Sequence, residues 1–339
     1  MPGTPHSALV LKFLAHRWFL LALTILFVVG LFGASHVRLL AEWTWLRQGN
    51  LFLVMFITAL PLEARSIWQT LKRPLAPALA LTMTYGLLPL VAWTASFLIS
   101  DASLAGGLLV ASVTPCTVAS AAVWTRRAGG NDSVAILSTV LTNLACFVVP
   151  PLWLAVMLHG SQASGALNAG KLMLELGLLV VLPMILAQLA RLHGLVAEFA
   201  TRRKQGLSTL AQCGILLMVF FGAINSGLRM QAGGASMTAG EVASQGVQIV
   251  LMVALVLSIH TGMFFAGYTL SQRLGLAKAD AIAVGFSGSQ KTLMVGLEIA
   301  IASQLSILPM ITFHAGQLFI DTLIADGLRE SVESEKRAA

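Results

Sequence analysis

The sequence predicts an all-α polytopic membrane protein with ten transmembrane helices. Of its 339 residues, 57% are hydrophobic and only 10% are charged, and the mean hydropathy is +0.84. Soluble domains carry about 25% charged residues. Apolar stretches of the length that spans a bilayer, about 20 residues, recur along the chain. The basic residues fall mostly between these stretches, and most of them lie in every second loop.

Ten stretches are long and apolar enough to be predicted as spans. They cover residues 13–34, 50–70, 75–99, 103–125, 132–158, 171–191, 205–224, 243–270, 278–301 and 306–328. The first stretch resembles a signal peptide, but its apolar run is long for one and many spans follow. We therefore interpret it as the first span and leave open whether the N-terminus is processed.

The distribution of positive charge tests this span count. With ten spans and both termini in the cytoplasm, sixteen of the 21 basic residues lie on the cytoplasmic side and four on the outer side. An excess of Lys and Arg in cytoplasmic loops sets the orientation of membrane proteins. The net charge of +7 therefore predicts a membrane orientation and no nucleic-acid partner. One basic residue, Lys291, falls inside the ninth span.

Catalytic and metal-binding motifs are missing from the sequence. Cys116, Cys146 and Cys213 lie in apolar segments without metal or redox spacing, so we interpret them as small hydrophobic residues. The sequence contains no glycine-rich phosphate loop, HExxH or GxSxG motif. The prediction is that the protein is not an enzyme and has no cofactor.

The ten spans divide into two halves of five, residues 1–160 and 161–339. Five is an odd number, so a duplicated second half would be inverted in the membrane. The fourth span of each half has an unusual centre: "SVTPCT" in span four and "FSGSQK" in span nine. Proline removes a backbone donor, and glycine lowers the cost of unwinding a helix. Interrupted helices at matching positions predict the binding site of a transporter.

Four stretches carry a resemblance to a known family. They are "FLVMFITALPLEARSIWQTLKRP", "TPCTVASAAVWTRRAGGNDSVAILSTVLTNL", "AVGFSGSQKTLMVGLEIA" and, more weakly, "LPMITFHAGQLFID". In these stretches, and over nearly the whole chain, the sequence is similar to the bile acid:sodium symporter superfamily and its SBF-like branch.

The resemblance implies two inverted five-helix repeats, in which helices 4 and 9 are broken and cross near the middle of the bilayer. It also implies a panel domain (spans 1, 2, 6 and 7) that moves against a core domain (spans 3–5 and 8–10). The implied activity is alternating-access transport of an organic anion with a coupling cation.

The sequence departs from the sodium-coupled members of that superfamily at three places. Their acidic sodium ligand on helix 9 corresponds to Phe286 here, and the asparagine after their glutamine corresponds to Lys291. The Ser-Asn pair of their helix 4 has no counterpart, since Ser120 to Ala122 contains no asparagine. Thr139 and Gln290 match ligand positions, so the resemblance leaves these two residues for a possible sodium site.

Four roles for Lys291 follow from its place at the predicted crossing. The carbonyl ends of two half-helices are negative, so an ammonium group could replace a sodium ion there. A lysine that releases and regains a proton would instead couple transport to protons. Direct pairing with a substrate anion and a purely structural role are the other two alternatives.

The remaining candidate binding residues surround the two interruptions or lie on span ten. They are Thr114, Pro115, Cys116, Thr117 and Ser120 in span four, Thr139 and Asn143 in span five, Ser287, Gly288, Ser289, Gln290 and Thr292 beside Lys291 in span nine, and His314, Gln317 and Asp321 in span ten. The last three share one helix face. Asp321 is predicted either to be the counter-charge of Lys291 or to lie near the cytoplasmic mouth. His260 in span eight is interpreted as a packed histidine.

The sequence and the resemblance together predict a secondary transporter of a small organic anion, coupled to sodium or protons. The expected location is a bacterial inner membrane, with membrane lipids around a monomer or homodimer. A cation/proton antiporter that uses the same crossing is one alternative. A non-transporting membrane regulatory factor is the other.

Overall fold

A computed structural model describes residues 18–62, 70, 72, 74–118, 120–159, 168–233 and 239–338. These residues form helices joined by turns. The first nine helices are α1 Trp18–Phe32, α2 Arg38–Glu42, α3 Thr44–Ala59, α4 Leu75–Thr82, α5 Leu88–Ser96, α6 Ala102–Val113, α7 Ser120–Arg127, α8 Asp132–Ala145 and α9 Val149–Met157. The other eight are α10 Ala169–Leu176, α11 Leu182–Arg191, α12 Gly194–Arg202, α13 Lys204–Gly233, α14 Ala239–Arg273, α15 Lys278–Ser289, α16 Leu293–Ala302 and α17 Leu308–Ala338. Two π-helical segments, Met83–Leu87 and Gly177–Val181, join α4 to α5 and α10 to α11.

Five helical stretches in the described parts of the chain are long and apolar enough to cross a membrane. They are Leu75–Ser96, Ala169–Arg191, Lys204–Gln231, Ala243–Arg273 and Leu308–Glu330. The pair α8 and α9 adds a sixth if it is one span bent by 62°. Large apolar side chains such as Phe97, Leu192 and Val250 are exposed on these helices and their ends, as lipid-facing residues are.

Two facts account for the difference from the ten predicted spans. The first and second predicted spans extend into residues 13–17 and 63–69, which lie outside the described residues. The fourth and ninth are each divided into two short helices, α6 and α7, and α15 and α16. Predicted boundaries also shift, because polar residues continue several helices: α3 begins at 44 rather than 50, and α13, α14 and α17 extend past the apolar stretches.

The residues "RRAGGND" form a turn that connects four helices. Gly129, with φ of 78°, ends α7, and the N–H of Gly130 returns to the carbonyl of Thr125 at 2.8 Å. Asn131 then caps α8, and its side-chain amide donates to Asp280 on α15 at 2.8 Å. Arg127 forms a bidentate ion pair with Asp326 of α17, in which its Nε and Nη2 donate to the two carboxylate oxygens. The turn thereby fixes α7 and α8 to the ends of α15 and α17.

The helices pack into two groups of neighbours. In one, α13 packs along α1 and α3, and α3 also packs against α11. In the other, α15 packs against α14, α4, α8 and α7, while α17 packs against α14 and α6. The second group contains both interrupted stretches, so the interruptions are enclosed by helices rather than by lipid.

Close packing between α15 and the π-helical segment before α5 generates a prediction. A Cβ added at Gly288 would lie 2.7 Å from the Cβ of Met83, whereas one added at Gly262 in α14 would meet nothing within 4 Å. Overpacking costs about 1–3 kcal/mol. We expect Gly288→Ala to lower the thermal unfolding temperature of the detergent-solubilised protein and Gly262→Ala to leave it unchanged or raise it. Equal effects of the two variants would contradict this packing.

Candidate functional site

The two interruptions contact each other. Helix α6 ends at Val113, and Thr114 is extended (φ −67°, ψ 153°). Helix α15 ends at Ser289, and Gln290 is likewise extended (φ −76°, ψ 147°). The N–H of Thr292 donates to the carbonyl of Pro115 at 2.9 Å. A backbone hydrogen bond therefore joins the two unwound segments, each of which has lost part of its own helical bonding.

Lys291 lies at this junction and is fully buried. Its Nζ donates to the carbonyl oxygens of Thr84 at 2.8 Å and Thr114 at 2.9 Å. Thr114 caps the C-terminus of α6, so its carbonyl lies at the negative end of a helix dipole. The ammonium group is thus held by main-chain oxygens of two different helical stretches.

The carbonyl of Thr84 is free to accept a hydrogen bond from outside its own helix because of Pro89, five residues further along the chain. In an α-helix this carbonyl would accept from the N–H of Leu88, but that N–H donates to Met83 instead, one residue further back. The next residue, Pro89, has no N–H to offer in its place. The π-helical segment and the proline together release one main-chain oxygen inside the protein, and Lys291 binds it.

Tyr85 completes the surroundings of the ammonium group. Its ring centroid lies 5.8 Å from the Nζ of Lys291, within the range of a cation–π contact. The tyrosine is held at both ends: its hydroxyl donates to the carbonyl of Thr142 at 2.6 Å, and its own carbonyl accepts from Trp153 Nε1 at 2.7 Å. Two carbonyl oxygens and an aromatic face therefore surround the ammonium group.

The backbone of Lys291 is satisfied by one side chain of α17. Its N–H donates to Gln317 Oε1 at 2.9 Å, and its carbonyl accepts from Gln317 Nε2 at 3.0 Å. Gln317 Nε2 also lies 3.1 Å from His314 Nδ1. The predicted polar face of span ten therefore supplies the hydrogen bonds that the unwound backbone has lost.

A second set of side chains extends from Gln290. Its Nε2 donates to Asp321 Oδ2 at 2.6 Å, and its Oε1 accepts from the Ser120 hydroxyl at 2.9 Å. Ser120 also shares a 2.6 Å hydrogen bond with Thr117. On the other side, Asp321 Oδ1 lies 2.9 Å from Nε2 of His260. A continuous hydrogen-bonded chain thus runs from a buried carboxylate to the first interruption.

Helix α8 holds the first interruption in its extended form. Asn143 Nδ2 donates to the carbonyl of Cys116 at 2.9 Å, and Thr142 Oγ1 accepts from the N–H of Cys116 at 3.3 Å. Thr139 Oγ1 lies 3.3 Å from the carbonyl of Thr117 and 3.5 Å from Cys116 Sγ. Thr139 and Asn143 therefore contact the first unwound segment.

Several predicted hydroxyl groups have local roles instead. The hydroxyls of Thr114 and Ser289 bond to their own helices, at Ala111 and Gly285. The carbonyl of Ser287 accepts a hydrogen bond from the Thr84 hydroxyl, and the carbonyl of Ser289 lies near His260 Nδ1. These residues contribute mainly through their backbone.

The structure differs from the sequence predictions in two respects. Asp321 bonds Gln290 and His260, while Lys291 donates to carbonyls, so the predicted pairing of Asp321 with Lys291 is absent from the described contacts. Asp321 is also fully buried rather than at a mouth. The sequence interpretation overlooked Thr84 and Tyr85 as site residues, although Pro89, in the middle of an apolar stretch, signalled freed carbonyls just before it.

A cleft of about 270 Å³ lies between the two helix groups and reaches this network. Its walls come from α1, α3 and α13 on one side and from α7, α8 and α17 on the other. Thr117, Ser120 and His314 line it, whereas Lys291, Gln290 and Asp321 lie behind them. Most other lining residues are apolar, and two are basic, Arg126 and Lys204. A ligand in the cleft would contact the outer members of the network and not Lys291.

In the described ranges, no cluster of three or more His, Cys, Asp or Glu side chains could hold a metal ion. The two residues that match sodium-ligand positions, Thr139 and Gln290, are engaged in hydrogen bonds. The cation at the crossing is the ammonium group of Lys291.

A family model matches residues 17–330, almost the whole chain; it describes the SBF-like CPA transporter family. The chain belongs to this family. YfeH of Escherichia coli (strain K12), a candidate symporter, is 29% identical over 243 residues, which are 69% of this chain and 68% of YfeH. Sodium/bile acid cotransporter 7 of Xenopus tropicalis is 24% identical over 241 residues, 68% of this chain and 66% of that protein. The rat protein of the same name is 22% identical over 297 residues, 84% and 83% of the two chains.

Family membership and the apolar helices identify a multi-pass membrane protein of the bile acid:sodium symporter type. It is a transport protein and not an enzyme. The SBF-like resemblance found in the sequence is thereby confirmed.

The double hydrogen bond from Gln317 to Lys291 generates a prediction. Gln317→Leu leaves a buried N–H and a buried carbonyl of Lys291 without this partner, at a cost of about 1–3 kcal/mol. We expect a lower thermal unfolding temperature. Thr322→Val on the same helix is the control, because the Thr322 hydroxyl bonds only its own helix, at Leu318. If the Gln317→Leu protein were as stable as the control, the Gln317 side chain would not stabilise the backbone of Lys291.

Proposed function

We propose that this protein is a secondary active transporter of a small organic anion, in which the ammonium group of Lys291 occupies the place of a coupling sodium ion. The observation that carries the proposal is the pair of hydrogen bonds from Lys291 Nζ to the carbonyls of Thr84 and Thr114, beside the Tyr85 ring. Main-chain carbonyls at the end of a half-helix are typical ligands of a coupling ion in transporters with discontinuous helices. A covalently attached cation there removes the need for a free one.

The proposed mechanism is alternating access by ten spans in two inverted repeats, residues 1–160 and 161–339. A panel of spans 1, 2, 6 and 7 would move against a core of spans 3–5 and 8–10. The two groups of neighbouring helices support this division, because α1, α3, α11 and α13 pack together. The position of the cleft between the groups also supports it, since relative motion would open and close that space.

The proposed substrate class follows from the chemistry of the cleft. Of the two basic lining residues, Arg126 is ion-paired with Asp132, and Lys204 favours an anion; the apolar lining favours an organic body. Thr117, Ser120 and His314 supply polar contacts between them. A substrate bound there would touch Ser120, which bonds Gln290, so binding in the cleft would be transmitted to the crossing.

The proposed location is a bacterial inner membrane, with both termini in the cytoplasm and the chain present as a monomer or homodimer. The distribution of basic residues supports this orientation. With that orientation, the mouth of the cleft, at Arg126 and Lys204, would lie on the cytoplasmic side.

A cation/proton antiporter is the second candidate function. The observation in its favour is the buried pair of Asp321 and His260 next to Gln290, because ionisable residues inside membrane-spanning segments are typical of ion and proton pathways. Antiport would move protons against a cation gradient without an organic anion.

The test of the proposed function is uptake into proteoliposomes that contain only the purified protein. We expect at least one anion from a panel of carboxylates, sulfonates and bile acids to be taken up equally fast in sodium and in choline. Lys291→Ala, or Lys291→Gln if alanine prevents folding, should lose uptake or make it depend on sodium. Lys171→Ala, at an exposed lysine, is the control.

Each other outcome contradicts the proposal in a different way. Uptake that requires sodium in wild type and is unchanged in the Lys291 variants would make the lysine structural. Proton movement driven by a cation gradient, without anion uptake, would indicate the antiporter. No flux of any kind would indicate a non-transporting regulatory factor.

A further inference from the structure

The end of the molecule opposite the cleft mouth is held shut by contacts between the two helix groups. Arg47 on α3 lies with its Nη2 3.2 Å from Glu298 Oε1 on α16. The two side chains are 13% and 2% exposed, so this is a largely buried ion pair. Arg229 on α13 donates from Nη1 to the carbonyl of Gln304 at 2.6 Å. Both contacts join a helix of the α1–α3–α13 group to the end of α16.

The positions along the helices separate these contacts from the cleft. Cleft residues on α3 begin at Ile57, ten residues after Arg47, or about 15 Å along a helix. Cleft residues on α13 end at Ile215, fourteen residues before Arg229, or about 21 Å. The molecule is therefore open between the two groups at one end and bridged at the other.

The acceptor of Arg229 has an unusual backbone. Gln304 is the one non-glycine residue with positive φ, 55°, in the described parts of the chain. The N–H of Leu305 returns to Ala300 at 2.8 Å, which ends α16 in the motif that usually has glycine at this position. A left-handed conformation is unfavourable for a glutamine. Here it terminates α16 at the residue whose carbonyl meets Arg229.

The ion pair itself is only partly satisfied. Neither carboxylate oxygen of Glu298 has a hydrogen-bond partner among the described residues, although Arg47 is close enough for strong attraction. Loss of one member would leave a buried charge without a counter-charge, which strongly destabilises the closed arrangement. If Arg47 and Glu298 separated and both side chains entered water, both charges would instead be solvated. Such a pair is stable when closed and can be broken when the two groups move apart.

We infer that Arg47 and Glu298 form the outer gate of the transporter, with Arg229 and Gln304 as a second link. This inference rests on the proposed alternating-access function. In the conformation described, the gate is closed and the cleft faces the cytoplasm. Opening of the gate would give an anion access from the outer side, as the cytoplasmic cleft closes.

Spin labels test the gate without any substrate. One pair, at Thr44→Cys and Ala302→Cys, reports the outer end, because both residues are exposed and line one depression beside Arg47. A second pair, at Val123→Cys and Ser208→Cys, spans the cytoplasmic cleft. The background is Cys213→Ser, since Cys213 is the exposed one of the three cysteines.

Distances between the labels are measured by double electron–electron resonance. We expect the Arg47→Gln and Glu298→Gln variants each to show an additional, longer distance for the outer label pair and an additional, shorter distance for the cytoplasmic label pair. The charge exchange Arg47→Glu with Glu298→Arg should restore the wild-type distributions. Arg38→Gln is the matched control, because it breaks an exposed ion pair with Glu42 at the same end, within α2.

Distances that stay at wild-type values in Arg47→Gln and Glu298→Gln, or that change as much in Arg38→Gln, would overturn the inference. If those two variants do not fold, Arg229→Gln tests the second link with the same labels, and unchanged distances there would also count against a gate. The outcome is independent of anion flux. If the two distances change in opposite directions but no transport is found, the proposed function is refuted and the gate is retained. If transport is found but the distances do not change, the gate is refuted and the proposed function is retained.

Discussion

The ammonium group of Lys291, bound to two main-chain carbonyls, is the interaction on which the rest of the site depends. A buried charge is tolerated only when it is paired or well solvated by dipoles. Here the dipoles come from Thr84, released by a π-helical segment, and Thr114, at the end of a half-helix. The two unwound segments in turn need a positive charge between them. Each feature therefore stabilises the other.

The polar side chains around this centre replace the hydrogen bonds that unwinding removes. Gln317 bonds both backbone groups of Lys291, and Asn143 bonds the carbonyl of Cys116. Irregular backbone inside a membrane protein persists only with such partners. The same network reaches the cleft through Ser120 and reaches a buried carboxylate through Gln290. Gln317 and Asn143 thus support the unwound backbone, while Ser120 and Gln290 connect it to the cleft and to Asp321.

Much of this arrangement could be predicted from the sequence, because membrane spans and their interruptions have strong local signals. Pro115 and the "FSGSQK" stretch indicated both breaks, and the helical spacing of His314, Gln317 and Asp321 indicated their common face. The partners of Lys291 could not be predicted in this way. Pro89 signals that carbonyls before it are freed, but which side chain binds the carbonyl of Thr84 depends on the distance between helices far apart in sequence. For the same reason the sequence could not show that Asp321 contacts His260 rather than Lys291.

The most direct test of the central claim is an experimental structure of Lys291→Ala soaked in thallium(I), a monovalent cation located by its anomalous scattering. If the ammonium group occupies a cation site, the variant should show an anomalous peak between the carbonyl oxygens of Thr84 and Thr114, and the wild-type protein should show none. A variant without a peak there, or a wild-type protein with one beside an intact lysine, would contradict the account.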